Sequence, residues 1–351
     1  MLDNTYHITG IIEPKNIHHA EYLSFLFDIM IKLHYPFLTL QENMKNIITL
    51  FTVCMIYVIS LYSSHAFAAE AKVSEYTHRN SKAPSAIPID ITKEGHIVLK
   101  AKVNGKEGNF ILDTGAGINV LFKKFTGGLN DIRQQDGSFT GFRATGEEIT
   151  MKLYKAKSIM IGDVKILNPF VTIIDADFGN IDGLISLTCF RDRAFTIDFK
   201  DKKIYLETNK SIKQREKDGT VVPIQLDDQR GVSLDMFTKV RVNDKLALQV
   251  ALDSGAGFNV FRFNAAYMNE MGIDTSKAEK YFKKSSLNPK VENEFYKAVI
   301  KKIELLNKPV IHTGKVEASF LSGLIYDGIT CVNWLGNKIT IDIENKKIIV
   351  Q

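Results

Sequence analysis

The chain has 351 residues, of which 45% are hydrophobic and 24% charged, with a mean hydropathy of -0.06. At about 150 residues per domain this is a globular chain of roughly two domains, which excludes a disordered, fibrous or multi-span membrane protein. Three cysteines, no CxxC or HExxH spacing and a net charge of +5 without dense basic clusters exclude a disulfide scaffold, a zinc motif and a nucleic-acid face.

Met44–Ala68 reads MKNIITLFTVCMIYVISLYSSHAFA, with an early lysine, an apolar run over 47–62 and Ala66-Phe67-Ala68 before Ala69. That order predicts a secretory signal peptide cleaved after Ala68. The 16-residue run is short of the roughly 20 residues that a spanning helix needs, which sets membrane anchoring through 47–62 second. Residues 1–43 read as an over-called extension ahead of a true start at Met44. The chain is therefore expected in the periplasm or outside the cell, with no stable membrane partner once the signal is removed. Residues 69–88 read as a flexible lead-in.

From residue 90 onward the chain repeats itself. Asp113-Thr-Gly-Ala-Gly-Ile-Asn-Val-Leu-Phe122 recurs as Asp253-Ser-Gly-Ala-Gly-Phe-Asn-Val-Phe-Arg262, with six of ten positions identical. Thr196-Ile-Asp-Phe-Lys-Asp-Lys-Lys-Ile-Tyr-Leu206 recurs as Thr340-Ile-Asp-Ile-Glu-Asn-Lys-Lys-Ile-Ile-Val350, with six of eleven identical. Val103-Asn104 matches Val242-Asn243, and Asp182-Gly183 matches Asp327-Gly328. Four ordered matches at offsets of 139 to 145 residues define two copies of one unit. The copies span 89–208 and 219–351, with a linker at 209–218.

Each copy reads mainly as strand. His96–Val103, Phe110–Leu112, Met151–Tyr154, Lys157–Ile161, Thr196–Phe199 and Leu248–Leu252 carry β-branched and aromatic residues bounded by Gly, Asn and Asp. The best helical candidate is Asn264–Met271, capped by Asn264. Asp198 and Asp342 alternate with apolar neighbours and are expected to face solvent. Cys189 and Cys331 read as small buried side chains rather than a bridge.

The repeated Asp motifs follow apolar strands, so each carboxylate stands where the chain leaves the core. A small hydroxyl and a glycine follow, leaving room for another backbone to approach. One Asp-x-Gly alone is usually a turn. Two homologous copies paired about a twofold would bring Asp113 and Asp253 together. Carboxyls that close share one proton, so one member can activate water while the other donates to a carbonyl oxygen.

On these residues the chain resembles bilobal aspartic peptidases built from two retropepsin-like units, of an exported bacterial type. Asp113-Thr114-Gly115-Ala116 and Asp253-Ser254-Gly255-Ala256 carry the resemblance. Downstream, Ile181-Asp182-Gly183-Leu184-Ile185 and Tyr326-Asp327-Gly328-Ile329-Thr330 support it. It implies an all-β fold of two lobes related by a pseudo-twofold axis, with Asp113 and Asp253 as the catalytic dyad. Thr114, Gly115, Ser254 and Gly255 would support the catalytic loops, the two hydroxyls through crossed hydrogen bonds. It implies a polypeptide substrate, no nucleic acid, no cofactor and no metal, and a monomer with intramolecular lobe pairing. The expected activity is endopeptidase hydrolysis; the alternative is a non-catalytic peptide- or envelope-binding protein on the same fold.

Asp136–Gly146 has the composition of a flap hairpin, with Phe139, Gly141 and Phe142 placed to cover a peptide. In the second copy Lys283–Glu294 occupies the matching space without comparable glycines, which predicts a single flap. Where the family commonly has a glycine four residues after the second-element Asp, this chain has Ser186 and Cys331.

Overall fold

The computed structural model describes residues 84–143, 145, 147–285 and 290–351. The signal-peptide segment, the extension before it and most of the lead-in lie outside the described residues. Strands dominate and form a 15-stranded and a 10-stranded sheet. Ile97–Val103, Lys106–Leu112, Ser158–Ile161, Phe195–Asp198 and Leu246–Leu252 are all strands, as their β-branched alternation predicts.

The sequence repeat returns as a repeat in pairing. Lys106–Leu112 runs parallel to Gly183–Ile185, with Phe110 opposite Gly183 and Leu112 opposite Ile185. Leu246–Leu252 runs parallel to Gly328–Thr330, with Val250 opposite Gly328 and Leu252 opposite Thr330. Each short strand also pairs antiparallel with the strand that follows its Asp motif, Asn119–Phe122 in one half and Phe261–Asn264 in the other. The turns match as well. Asn104 and Asn243 take φ of 50° and 53°, and Lys202 and Lys346 take 49° and 50°.

The halves share one sheet. Phe195–Asp198 pairs antiparallel with Lys338–Asp342, and Thr196 lies opposite its own repeat counterpart, Thr340. Their hydroxyls are 2.6 Å apart. One large apolar cluster runs beneath both halves, including Phe110, Phe190, Phe195, Met236, Ile339 and Ile341. Separate clusters lie on the far faces. In the first half, Phe122, Phe139, Met151 and Leu184 pack together; in the second, Phe237, Phe295, Leu324 and Ile329 do so.

Several expectations need correction. Ser85–Ile91 is a strand, so the lead-in ends earlier than residue 88. It pairs first with Lys203–Leu206 and then, from Ile89, with Ile97–Val103. Pro88, which has no N–H to donate, sits where the strand changes partner. Residues 209–218 form an α-helix, capped reciprocally by Thr208 and Ser211, with no buried side chain. The helix expected over Asn264–Met271 is only a 3-10 turn, Ala265–Tyr267, which Asn264 caps by accepting from the Ala266 N–H.

Asp198 and Asp342 are buried rather than solvated. The sheet shared by the halves is covered on both faces, so alternation no longer marks a wet side. Lys338 Nζ reaches Asp198 at 2.7 Å, and the Asp201 N–H donates to Asp198 at 2.9 Å. Burial alone would raise the Asp198 carboxyl, but these partners outweigh it and hold it below the usual range. Asn345 donates to Asp342 through its side-chain amide at 2.8 Å. Cys189 and Cys331 are free and buried, and desolvation pushes both thiols up to about 12.

Candidate active site

Each Asp motif is held in place by the same bonds. The Asp113 N–H donates to Ile185 O at 2.9 Å, and the Asp253 N–H donates to Thr330 O at 2.9 Å. Behind them, Asp182 Oδ2 accepts from the Asn109 N–H at 2.8 Å and Asp327 Oδ2 from the Gln249 N–H at 3.1 Å. Asp182 and Asp327 thus pin the short parallel strand to the strand that enters the motif. Ser186, in the position expected to carry glycine, donates its N–H to Asn119 Oδ1 at 3.0 Å, and its hydroxyl lies 2.6 Å from that of Thr188. Cys331 packs there as a small apolar group, its N–H donating to Val260 O at 2.9 Å.

The two motifs meet through four crossed hydrogen bonds. Thr114 Oγ1 donates to Leu252 O at 2.6 Å and accepts from the Ser254 N–H at 2.9 Å. Ser254 Oγ donates to Leu112 O at 2.7 Å and accepts from the Thr114 N–H at 3.0 Å. Each hydroxyl therefore spends its proton and a lone pair on the opposite half of the chain.

This clasp brings Asp113 and Asp253 together, both essentially inaccessible. Asp113 Oδ1 accepts from the Gly115 N–H at 2.9 Å, and Asp253 Oδ1 from the Ala256 N–H at 3.0 Å. Burial first, then the charge and hydrogen bond of Asp253, push Asp113 well above the usual carboxylate range. A Cβ added to Gly255 would stand 2.3 Å from Asp113 Cγ, so no larger residue fits between the carboxyl and the opposing loop. Buried side by side, the two carboxyls can hold one proton between them while keeping one negative charge for a water.

The hairpin expected at Asp136–Gly146 is present, formed by Arg133–Phe142 and Glu148–Lys155. Its two strands end at Phe142 and resume at Glu148. Gly141 is buried opposite Ile149, and Phe142 closes the strand opposite Glu148. Phe139 is wholly buried in the cluster that holds Ala116 and Ile118 of the first motif loop, so it backs that loop from within the protein. The second half has a long hairpin too, Glu279–Lys284 with Glu292–Ile300, in the stretch that lacks the glycines of the first. Tyr281 lies opposite Phe295 and stacks on its ring at 5.1 Å, an apolar cross-strand pair within this hairpin. The two hairpins are tied together. Arg143 Nη1 donates to Glu147 Oε2 at 3.1 Å and to Ser285 Oγ at 2.7 Å, and Ser285 Oγ reaches Glu147 at 2.7 Å.

One buried acid near the dyad escaped the sequence reading. Asp235 lies near the start of the strand Ser233–Val242 and is 2% exposed. Burial, then the charges of Asp227 and Asp253, raise it well above the usual carboxylate range. The signal was present in the repeat: the Val103/Val242 match makes Asp235 the counterpart of His96. Counting back across the tight turns at Asn104 and Asn243 sets these two opposite Asp113 and Asp253.

Residues 99–188 match the model of the aspartyl protease family. No curated protein matches the chain. Among solved structures, a retropepsin-like aspartic protease from Rickettsia conorii is 22% identical, with a TM-score of 0.27, over 36% of this chain and 90% of that one. A second structure, edgp, is 8% identical with a TM-score of 0.44, over 77% of this chain and 95% of that one. The family match takes in Asp113, the hairpin and Asp182-Gly183, all in the first half of the repeat.

Proposed function

We propose that the chain is an exported aspartic endopeptidase in which Asp113 and Asp253 form one catalytic dyad. The crossed Thr114 and Ser254 hydrogen bonds carry this reading, because they hold two buried carboxyls against each other at fixed geometry. In the singly protonated pair, the ionised carboxyl takes a proton from water as it attacks the scissile carbonyl carbon. The protonated carboxyl donates to the carbonyl oxygen, giving a tetrahedral diol. Proton return to the leaving nitrogen then breaks the C–N bond. No covalent intermediate and no metal enter these steps.

The working unit in this reading is a monomer of two lobes, 89–208 and 219–351, joined by 209–218, that is released from a signal peptide ending at Ala68. The test is incubation of the purified protein with reduced casein from about pH 3 to pH 8, beside Asp113→Asn and Asp253→Asn. Cleavage by the parent that disappears in both variants is expected. A folded parent that cuts nothing would give the lead to a peptide- or envelope-binding role. Loss in only one variant would overturn the shared dyad.

A further inference from the structure

Three aspartates stand in a row across adjacent strands beside the dyad. Gln225–Gln229 pairs antiparallel with Ser233–Val242, setting Asp227 opposite Asp235. Ser233–Val242 pairs on its other edge with Leu246–Leu252, and the last rung places Phe237 opposite Ala251. Two residues further on, this register sets Asp235 opposite Asp253. Side chains directly opposite across a sheet share a face about 5 Å apart. Asp235 therefore lies between Asp227 and the dyad, and its carboxyl feels both charges.

Asp235 is also unsatisfied. Among the described residues neither of its oxygens has a hydrogen-bond partner, and neither does Ser233 Oγ, two residues back on the same face. Arg191, which reaches the same strand, is committed elsewhere: its guanidinium donates to Ser233 O at 3.0 Å and pairs with Asp228. A buried acid without donors, set among like charges, costs stability unless something supplies donors and positive charge. Among the described residues no group of acids, histidines and cysteines is arranged to hold a metal ion. An ammonium or guanidinium suits the site, since three or more N–H donors match two carboxylate oxygens and a hydroxyl. Phe237, next along the same face and 5.4 Å from Tyr326, offers apolar surface for an aliphatic stem.

We propose that Asp235 is the base of a pocket for a lysine or arginine side chain of the bound polypeptide, beside the Asp253 member of the dyad. The assignment rests on the peptidase reading and adds its substrate class: polypeptides with a basic residue close to the scissile bond, on the Asp253 side. Asp235 positions that residue and takes no part in the bond-breaking steps.

The full chain and its Asp235→Asn variant are incubated with a mixed peptide library, and cut sites are read by mass spectrometry. Two peptides differing only by Lys or norleucine at the favoured position are then compared by kcat/KM. The parent is expected to favour Lys and Arg at one flanking position. In Asp235→Asn the Lys-to-norleucine ratio should fall about tenfold or more, the scale of a desolvated charge pair losing its partner. A merely structural role would slow both peptides equally and leave the ratio unchanged. No basic preference in the parent, or a ratio that survives in the variant, overturns the proposal. Should the parent cut no peptide, the peptidase reading fails, and fluorescence anisotropy of the same two peptides decides the pocket separately. Preferential binding of the Lys peptide that is lost in Asp235→Asn supports the pocket, and equal affinities overturn it. Thermal midpoints of both proteins confirm that each is folded.

Discussion

Gly255 is the residue on which the site leaves least freedom. With a Cβ position 2.3 Å from Asp113 Cγ, alanine must push the carboxyl or the loop by about 1 Å. A displacement of that size at reacting groups costs on the order of a hundredfold in rate. Gly255→Ala is therefore expected to cut kcat by at least about that factor while circular dichroism shows a folded chain. Thr114→Val removes a donor to Leu252 O and an acceptor for the Ser254 N–H, both buried. Two groups left unsatisfied cost roughly 2–5 kcal/mol together, read as a lowered denaturant midpoint. Asp235 has the opposite sign. Its folded pKa is raised, so the stability tied to its proton is complete below the unfolded value near ~3.9 and is lost as pH rises through the folded one. Asp235→Asn is expected to stabilise the free protein at pH 7 and to change little at pH 3, as measured by thermal melts. The same sign applies to the dyad: with Asp113 raised, the singly protonated pair persists above the usual carboxylate range. Activity should extend above that range and fall as pH climbs through the raised value.

Among the elements, the two long hairpins depend on one small buried ionic contact. Arg143 and Glu147 have side chains only 6% and 12% exposed, and Ser285 from the other hairpin bonds to both. Arg143→Met leaves Glu147 buried without its cation, a loss of about 3 kcal/mol. Hydrogen exchange should then quicken in Arg133–Phe142 and Glu279–Lys284 while the central strand Lys106–Leu112 keeps its protection. This contact could not be read from the sequence, because Arg143 and Ser285 lie 142 residues apart with no motif to join them. The strands around the Asp motifs were legible from β-branched alternation and the repeat, whereas Gln225–Gln229 and Ser233–Val242, which carry Asp227 and Asp235, were not. Polar residues inside the shared sheet were not. Asp198 and Asp342 alternate as surface residues do, and only the pairing of Phe195–Asp198 with Lys338–Asp342 buries their outer face.

At the scale of the molecule, the halves are joined by more than the linker. Thr196 meets Thr340 in the shared sheet, Thr114 meets Ser254 at the site, and each half reaches the other's loop. The Leu234 N–H donates to Gly117 O at 2.8 Å, and the Phe258 N–H to Glu94 O at 2.8 Å. A chain ending at residue 218 would leave Phe195–Asp198 as an open, largely apolar edge. Expressed alone, it is expected to associate or aggregate rather than to remain monomeric, which sedimentation would show.

His96 and Asp235 hold matching places in the two halves, and the difference between them has a directional meaning. A pair of identical subunits offers a bound peptide the same surroundings whether it lies N-to-C or C-to-N across the twofold. Here an imidazole stands beside Asp113 and a carboxylate beside Asp253. In the proposed peptidase the two orientations are then no longer degenerate, and a single covalent chain would read its substrate in one sense.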